Sequence, residues 1–153
     1  MDSNWTRWTI ASLVKHFDAL RQGVHLHVEG RERITPEPKK RFELRIDGPY
    51  TKELSANYWQ LDFEVNVLIT QVRDTSDAYS MDRLKGIVQA AFTRTIVARK
   101  LGDTPDPGDT LGCLILRSDG REGIMTSEFG LIDASQGLRQ ATVEGHYRME
   151  LRK

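Results

Sequence analysis

Cysteine is nearly absent: Cys113 is the single one among 153 residues. No internal disulfide can form, so the fold does not depend on an oxidising compartment. Long apolar runs are missing too, and no stretch approaches the roughly 18–20 residues of a membrane span. The opening Met1-Asp2-Ser3-Asn4-Trp5 has no basic segment leading into an apolar one. No secretory signal is expected on that basis, and synthesis in a cytoplasm is. Net charge is lacking as well, because 22 basic residues balance 22 acidic ones. A dedicated nucleic-acid binder carries a basic excess, so that class is disfavoured. Neutrality also weakens repulsion between copies, which suits a protein that ends up in an assembly.

The motifs of common chemistries do not occur. There is no Walker-type phosphate loop, no Gly-rich strand-to-helix turn, no Gly-x-Ser-x-Gly and no His-Glu-x-x-His. Cys113 sits among Gly112, Leu114 and Ile115 in an apolar stretch. It reads as a buried structural thiol, since free cysteine packs as a small apolar group. Internal repeats, low-complexity tracts and linkers are also absent, so the expectation is one domain over residues 1–153 and no enzyme.

What is present is strong patterning. Trp5, Trp8, Ala11 or Ser12, Leu13, Phe17 and Leu20 recur at helical spacing, predicting a helix from about Asn4 to Arg21. Ser3 or Asn4 can cap it and Gly23 can end it. Val24 to Glu29 alternates as a short strand, followed by a polar loop with two prolines, Gly30 to Lys40. Arg41 to Asp47 alternates again and is broken by Gly48-Pro49, with a loop from Tyr50 to Asn57. Tyr58 to Val72 carries the cleanest signal. Trp59, Leu61, Phe63, Val65, Val67 and Ile69 share one face, and Gln60, Asp62, Glu64, Asn66, Leu68 and Thr70 the other. A second helix is predicted from Ser80 to Thr93 through Met81, Leu84, Ile87, Val88, Ala91 and Phe92, with Ser80 as its cap. Strands are predicted at Thr95–Arg99, Thr110–Arg117, Gly123–Phe129 and Gln140–Arg152. A turn-rich loop spans Asp103–Asp109, and a hairpin turn is expected at Ser118-Asp119-Gly120.

Runs of strands without intervening helices argue against a doubly wound parallel sheet. The fold expected is α+β: an antiparallel sheet or sandwich with a long central strand and two amphipathic helices packed on one face.

Three groups of polar residues are candidates for chemistry. His25, His27 and Glu29 share a strand face and could offer metal ligands, but no completing ligand is identifiable and a polar solvent face is the simpler account. Asp62 and Glu64 pair on a face that Glu43 and Asp47 could join. Arg41 and Arg45 alternate with these acids, which points to cross-strand charge pairing rather than catalysis. Basic residues cluster at Arg31, Arg33, Lys39, Lys40 and Arg41, and again at Arg148, Arg152 and Lys153. Neither cluster interleaves with aromatics as a single-strand binder would. Orderly charged rows on strands allow specific pairing with a complementary neighbour.

The first helix WTRWTIASLVKHFDAL, the proline loop, the meander ELRIDGPY…NYWQLDFEVNVLIT, the helix in SDAYSMDRLKGIVQAAF and the closing strand pair together resemble one family. It is the ring-forming neck proteins of tailed bacteriophages, of the tail-terminator or tail-completion type. The resemblance covers most of the chain and is one of architecture. It implies a homo-oligomeric ring, often hexameric, in the virion. That ring caps the tail tube and joins it to the head-completion ring. It surrounds passing DNA without reading sequence, binds no membrane and needs no cofactor or metal. Arg31, Arg33, Lys39, Lys40, Glu43, Asp62, Glu64 and Glu144 are then the candidates for subunit interface or lumen. A tail-tube subunit is the nearest alternative. A host small-ligand-binding or enzymatic α+β domain, with a pocket lined by Trp59 and Phe63, is the alternative of another class.

Overall fold

A computed structural model describes residues 4–72, 79–100, 109–117, 123–133 and 137–152. In chain order they form helix α1 (Trp5–Phe17) with a 3₁₀ turn at Asp18–Arg21, β1 (His25–Val28), β2 (Arg41–Ser55), β3 (Tyr58–Val72), α2 (Ser80–Ala91), β4 (Thr95–Arg99), β5 (Thr110–Leu116), β6 (Met125–Asp133) and β7 (Leu138–Arg152). The class is α+β. All seven strands belong to one curled sheet of order β1-β2-β3-β7-β5-β4, with β6 also on β7. The sheet is mixed rather than wholly antiparallel, because β1 runs parallel to β2. The intervening polar segment carries the chain back to the start of the sheet, and a parallel pair needs such a crossover of a dozen or so residues.

Period-two alternation places the core. Leu61, Phe63, Val65, Val67 and Ile69 of β3 are buried, as are Ala141, Val143, Tyr147, Met149 and Leu151 of β7. Leu13, Phe17 and Leu20 from the first helical segment and Met81, Leu84 and Val88 from α2 join the same cluster. Each large side chain so buried contributes about 1.5–3 kcal/mol. Phe92, just beyond α2, meets Phe17 edge-on with 4.9 Å between ring centres. Gly145 makes room for it: a Cβ there would lie 2.7 Å from Phe92 Cδ1. The buried Tyr147 hydroxyl donates to the Thr93 carbonyl at 2.8 Å. Burial pushes that phenol's pKa far up, so it stays a donor.

Polar groups fix the helices. Arg99 N–H donates to Ser12 Oγ at 3.0 Å, tying β4 to α1. His16 Nε2 lies 2.8 Å from the Ala91 carbonyl, joining α1 to the end of α2. Asn4 is the N-cap residue of α1 but makes no side-chain cap bond. Ser80 is the first residue of α2, not its cap, and accepts from Gln71 Nε2 at 2.5 Å within the core.

Several expectations are corrected. Gly48-Pro49 does not end β2. A register shift there absorbs the break, and pairing with β3 resumes at Tyr50↔Asp62 and runs to Ser55↔Tyr58. The expected Tyr50–Asn57 loop is therefore mostly strand. Gly48 has φ +120°, and a Cβ there would lie 2.7 Å from the Asp62 carbonyl oxygen, so glycine is what lets the strand bulge and continue. Cys113 is exposed rather than buried. Alternation on β5 turns Leu114 into the core and leaves Cys113 and Ile115 outside. No hairpin joins β5 to β6. Both run antiparallel to β7, so they run in the same direction, β5 at Leu116↔Tyr147 and β6 from Met125↔Glu144. The expected turn at Ser118-Asp119-Gly120 lies outside the described residues, as does most of the Asp103–Asp109 loop.

Candidate functional site: the charged face of the sheet

Helices cover one face of the sheet; charged residues of β2, β3 and β7 fill the other. Register decides who meets whom. Asp62 stands opposite Arg148, Glu64 opposite His146 and Asn66 opposite Glu144. On the other flank Asp47 stands opposite Glu64 and Arg45 opposite Asn66. These side chains are mostly half-buried, because neighbouring rows cover one another.

Three small networks result. Near β1, Arg33 Nη1 bridges Glu37 at 2.6 Å and Glu43 at 2.7 Å, while Arg41 Nη2 lies 3.4 Å from Glu37. The hydrogen bond from Arg33 lowers the Glu37 pKa, and Glu37 in turn raises that of Arg33. The proline segment is thereby pinned over β2. Arg45 contacts Asp47 at 3.0 Å and Glu29 at 3.4 Å. In the middle of the face, Arg148 Nε donates to Asp62 at 2.7 Å and Gln60 Nε2 donates to the same carboxylate at 2.7 Å.

Beside that pair lie Glu64, Glu144 and His146, with His146 Nε2 3.2 Å from Glu144 Oε1. Burial, together with a hydrogen bond and charge repulsion from Glu144, raises the Glu64 pKa; His146 opposes this and Asp47 adds to it. One ligand atom from each of the three lies within 4.8 Å of the others, and no other such set occurs among the described residues. His25, His27 and Glu29 do not make one. His27 is 8% exposed and stands opposite Glu43, and Glu29 turns to Arg45.

Of the residues singled out from sequence, Glu43 and Arg33 meet directly, Asp62 and Glu64 share one row, and Glu144 joins Glu64 from β7. Arg31, Lys39 and Lys40 are exposed around the proline segment, apart from that row. His146, Arg148 and Glu37 were not singled out for these partnerships. The alternation of β7 places His146 and Arg148 on the face of Glu144, but only register makes them neighbours of Glu64 and Asp62.

A hollow of about 270 Å³ opens on this face between His27, Arg33, Glu43, Asn66 and Thr142. A wider groove of about 570 Å³ runs beside α1, lined by Arg7, Ile10, Val14 and Arg31. Neither is lined by Trp59 or Phe63, and Phe63 is 1% exposed.

A different surface is apolar. On and beside β6, Ile124, Met125, Phe129, Leu131 and Ile132 are exposed, Phe129 by 57%. Lys85 and Gln89 of α2 reach β6 at Glu128 (2.9 Å) and Thr126 (2.8 Å). The strand is hydrogen-bonded to β7 along one edge, and no described strand pairs with the other. No described helix is long and apolar enough to cross a membrane.

No protein-family model matches the chain, and no curated protein sequence does. A solved structure, whose name carries no statement of activity, is similar over 100% of this chain and 96% of its own, with a TM-score of 0.51 and 12% identity. A likeness at that identity shows the fold alone.

Proposed function

We propose that this chain is an assembly subunit that associates with further copies of itself through β6. The observation that carries this reading is the apolar, single-edged β6. Among the described residues β6 has one edge with no strand partner and exposes Met125, Phe129 and Leu131, while its Glu128 is taken up by Lys85 of α2, and an edge strand of this kind is a template for pairing. A second copy can pair its backbone there and cover these side chains. Exposed Val97 and Ile115 on β4 and β5 offer a second apolar surface, distinct from the first. Two different surfaces that fit one another make a head-to-tail contact, which closes into a ring when the rotation permits. The zero net charge leaves little repulsion against such stacking.

The form of this role that the sequence resemblance favours is a tail-terminator ring at the neck of a tailed phage. Its neighbours are then the tail tube and the head-completion ring. The Asp62–Glu64–Glu144 row is the candidate surface toward passing DNA, because acidic groups repel phosphates and let the strand slide. The test is the mass of the purified protein over a range of concentrations, with negative-stain images of the same sample. Closed rings of one size are expected. Long tubes would favour the tail-tube alternative, and a strict monomer at high concentration overturns the assembly reading.

A further inference from the structure

We propose that Glu64, Glu144 and His146 form a binding site for a divalent transition-metal ion of the zinc type. The three come from two adjacent strands in fixed register. Glu64 faces His146 across the β3–β7 ladder, and Glu144 lies two residues along β7 on the same face. One imidazole nitrogen and two carboxylate oxygens, all within 4.8 Å of each other, need small side-chain rotations to reach the spacing of ligands around one ion. The imidazole sets the preference. Oxygen-only clusters suit Mg²⁺ or Ca²⁺, whereas a nitrogen beside two carboxylates suits Zn²⁺ and its neighbours in the transition series.

The surroundings point the same way. Nearby Asp62 and Asp47 have arginine partners, Arg148 and Arg45 respectively. Glu64 instead faces His146 and Glu144 of β7. The hollow lined by Asn66 and Thr142 adjoins Glu144 on the same face, leaving room for water to complete the coordination shell. Both strands are central to the sheet, so the ligands sit on a rigid support.

The experiment is calorimetric titration of purified, chelator-treated protein with Zn²⁺ alone, with thermal melting of the same samples with and without the ion. Saturable binding of one ion per chain and a higher melting temperature are expected. His146→Ala and Glu64→Gln should each weaken binding by about tenfold or more, while His25→Ala leaves it unchanged. Circular dichroism shows whether each variant is folded, and Glu144→Gln is the substitute if one is not. Absence of saturable binding to the native protein overturns the proposal, and so does equal affinity in the folded variants. Because the titration reports on each chain whatever its oligomeric state, its outcome is separate from that of the assembly reading.

Discussion

Glu64 sits in an environment that opposes its charge. Glu144 and His146 face it from β7, Asp47 and Arg45 from β2, and Asp62 with its partner Arg148 lies next along the row. A carboxyl whose pKa is raised by folding binds its proton more tightly in the native state than in the unfolded chain. Its contribution to stability is therefore neutral at low pH and becomes a penalty as pH rises from the ordinary carboxylate range through the raised value. Glu64→Gln removes that penalty. In the presence of a chelator, the variant should melt higher than the native protein at pH 8 and no differently near pH 4. Equal melting curves at pH 8 would contradict this account of the cluster. Gly145 makes the opposite case, a residue that matters for what it lacks. Gly145→Ala forces a methyl against the ring of Phe92 and should cost about 1–3 kcal/mol in denaturant unfolding. Neither effect was legible in the sequence. The alternation of β7 assigned Glu144, His146 and Arg148 to one face, but partners on that face depend on β3–β7 register, which no local pattern encodes.

At the scale of elements, legibility followed periodicity. The apolar face of Tyr58–Val72 and the stripes of both helices could be read directly, since burial repeats at the period of the backbone. Two breaks misled. Gly48-Pro49 has the chemistry of a stop, yet a bulge carries β2 past it, because pairing against a continuous β3 outweighs the local break. The apolar run around Cys113 reads as the surroundings of a buried thiol, but β5 meets β7 at only Ile115 and Leu116 and its alternation turns Cys113 outward. His27 erred the other way. Two imidazoles alternating with apolar residues read as a solvent face, whereas His27 is only 8% exposed, set in the hollow it shares with Arg33 and Glu43. For β6, the assembly reading makes a direct prediction. Phe129→Arg puts a charge into the proposed contact while touching no described core residue, so unfolding by denaturant should change by less than about 0.5 kcal/mol. The mass in solution should fall to that of a monomer. A variant that keeps the native mass would contradict the role given to β6.

At the scale of the molecule, the sheet divides into one face that folds it and a charged face whose ions are largely paired internally. A face satisfied in that way attracts partners weakly, which is why the proposed association is assigned to the edge rather than to the charged rows. The proposed assembly then depends on backbone pairing along β6, and amide exchange reads that pairing most directly. In an antiparallel pair only alternate amides bond to a given neighbour, so β6 on β7 alone protects about half of its amides. Hydrogen–deuterium exchange over residues 125–133 should show nearly all of these amides protected in the concentrated native protein. In the Phe129→Arg variant only the half facing β7 should remain protected. Exchange that is half-protected in both, with no dependence on concentration, would contradict self-assembly through this strand.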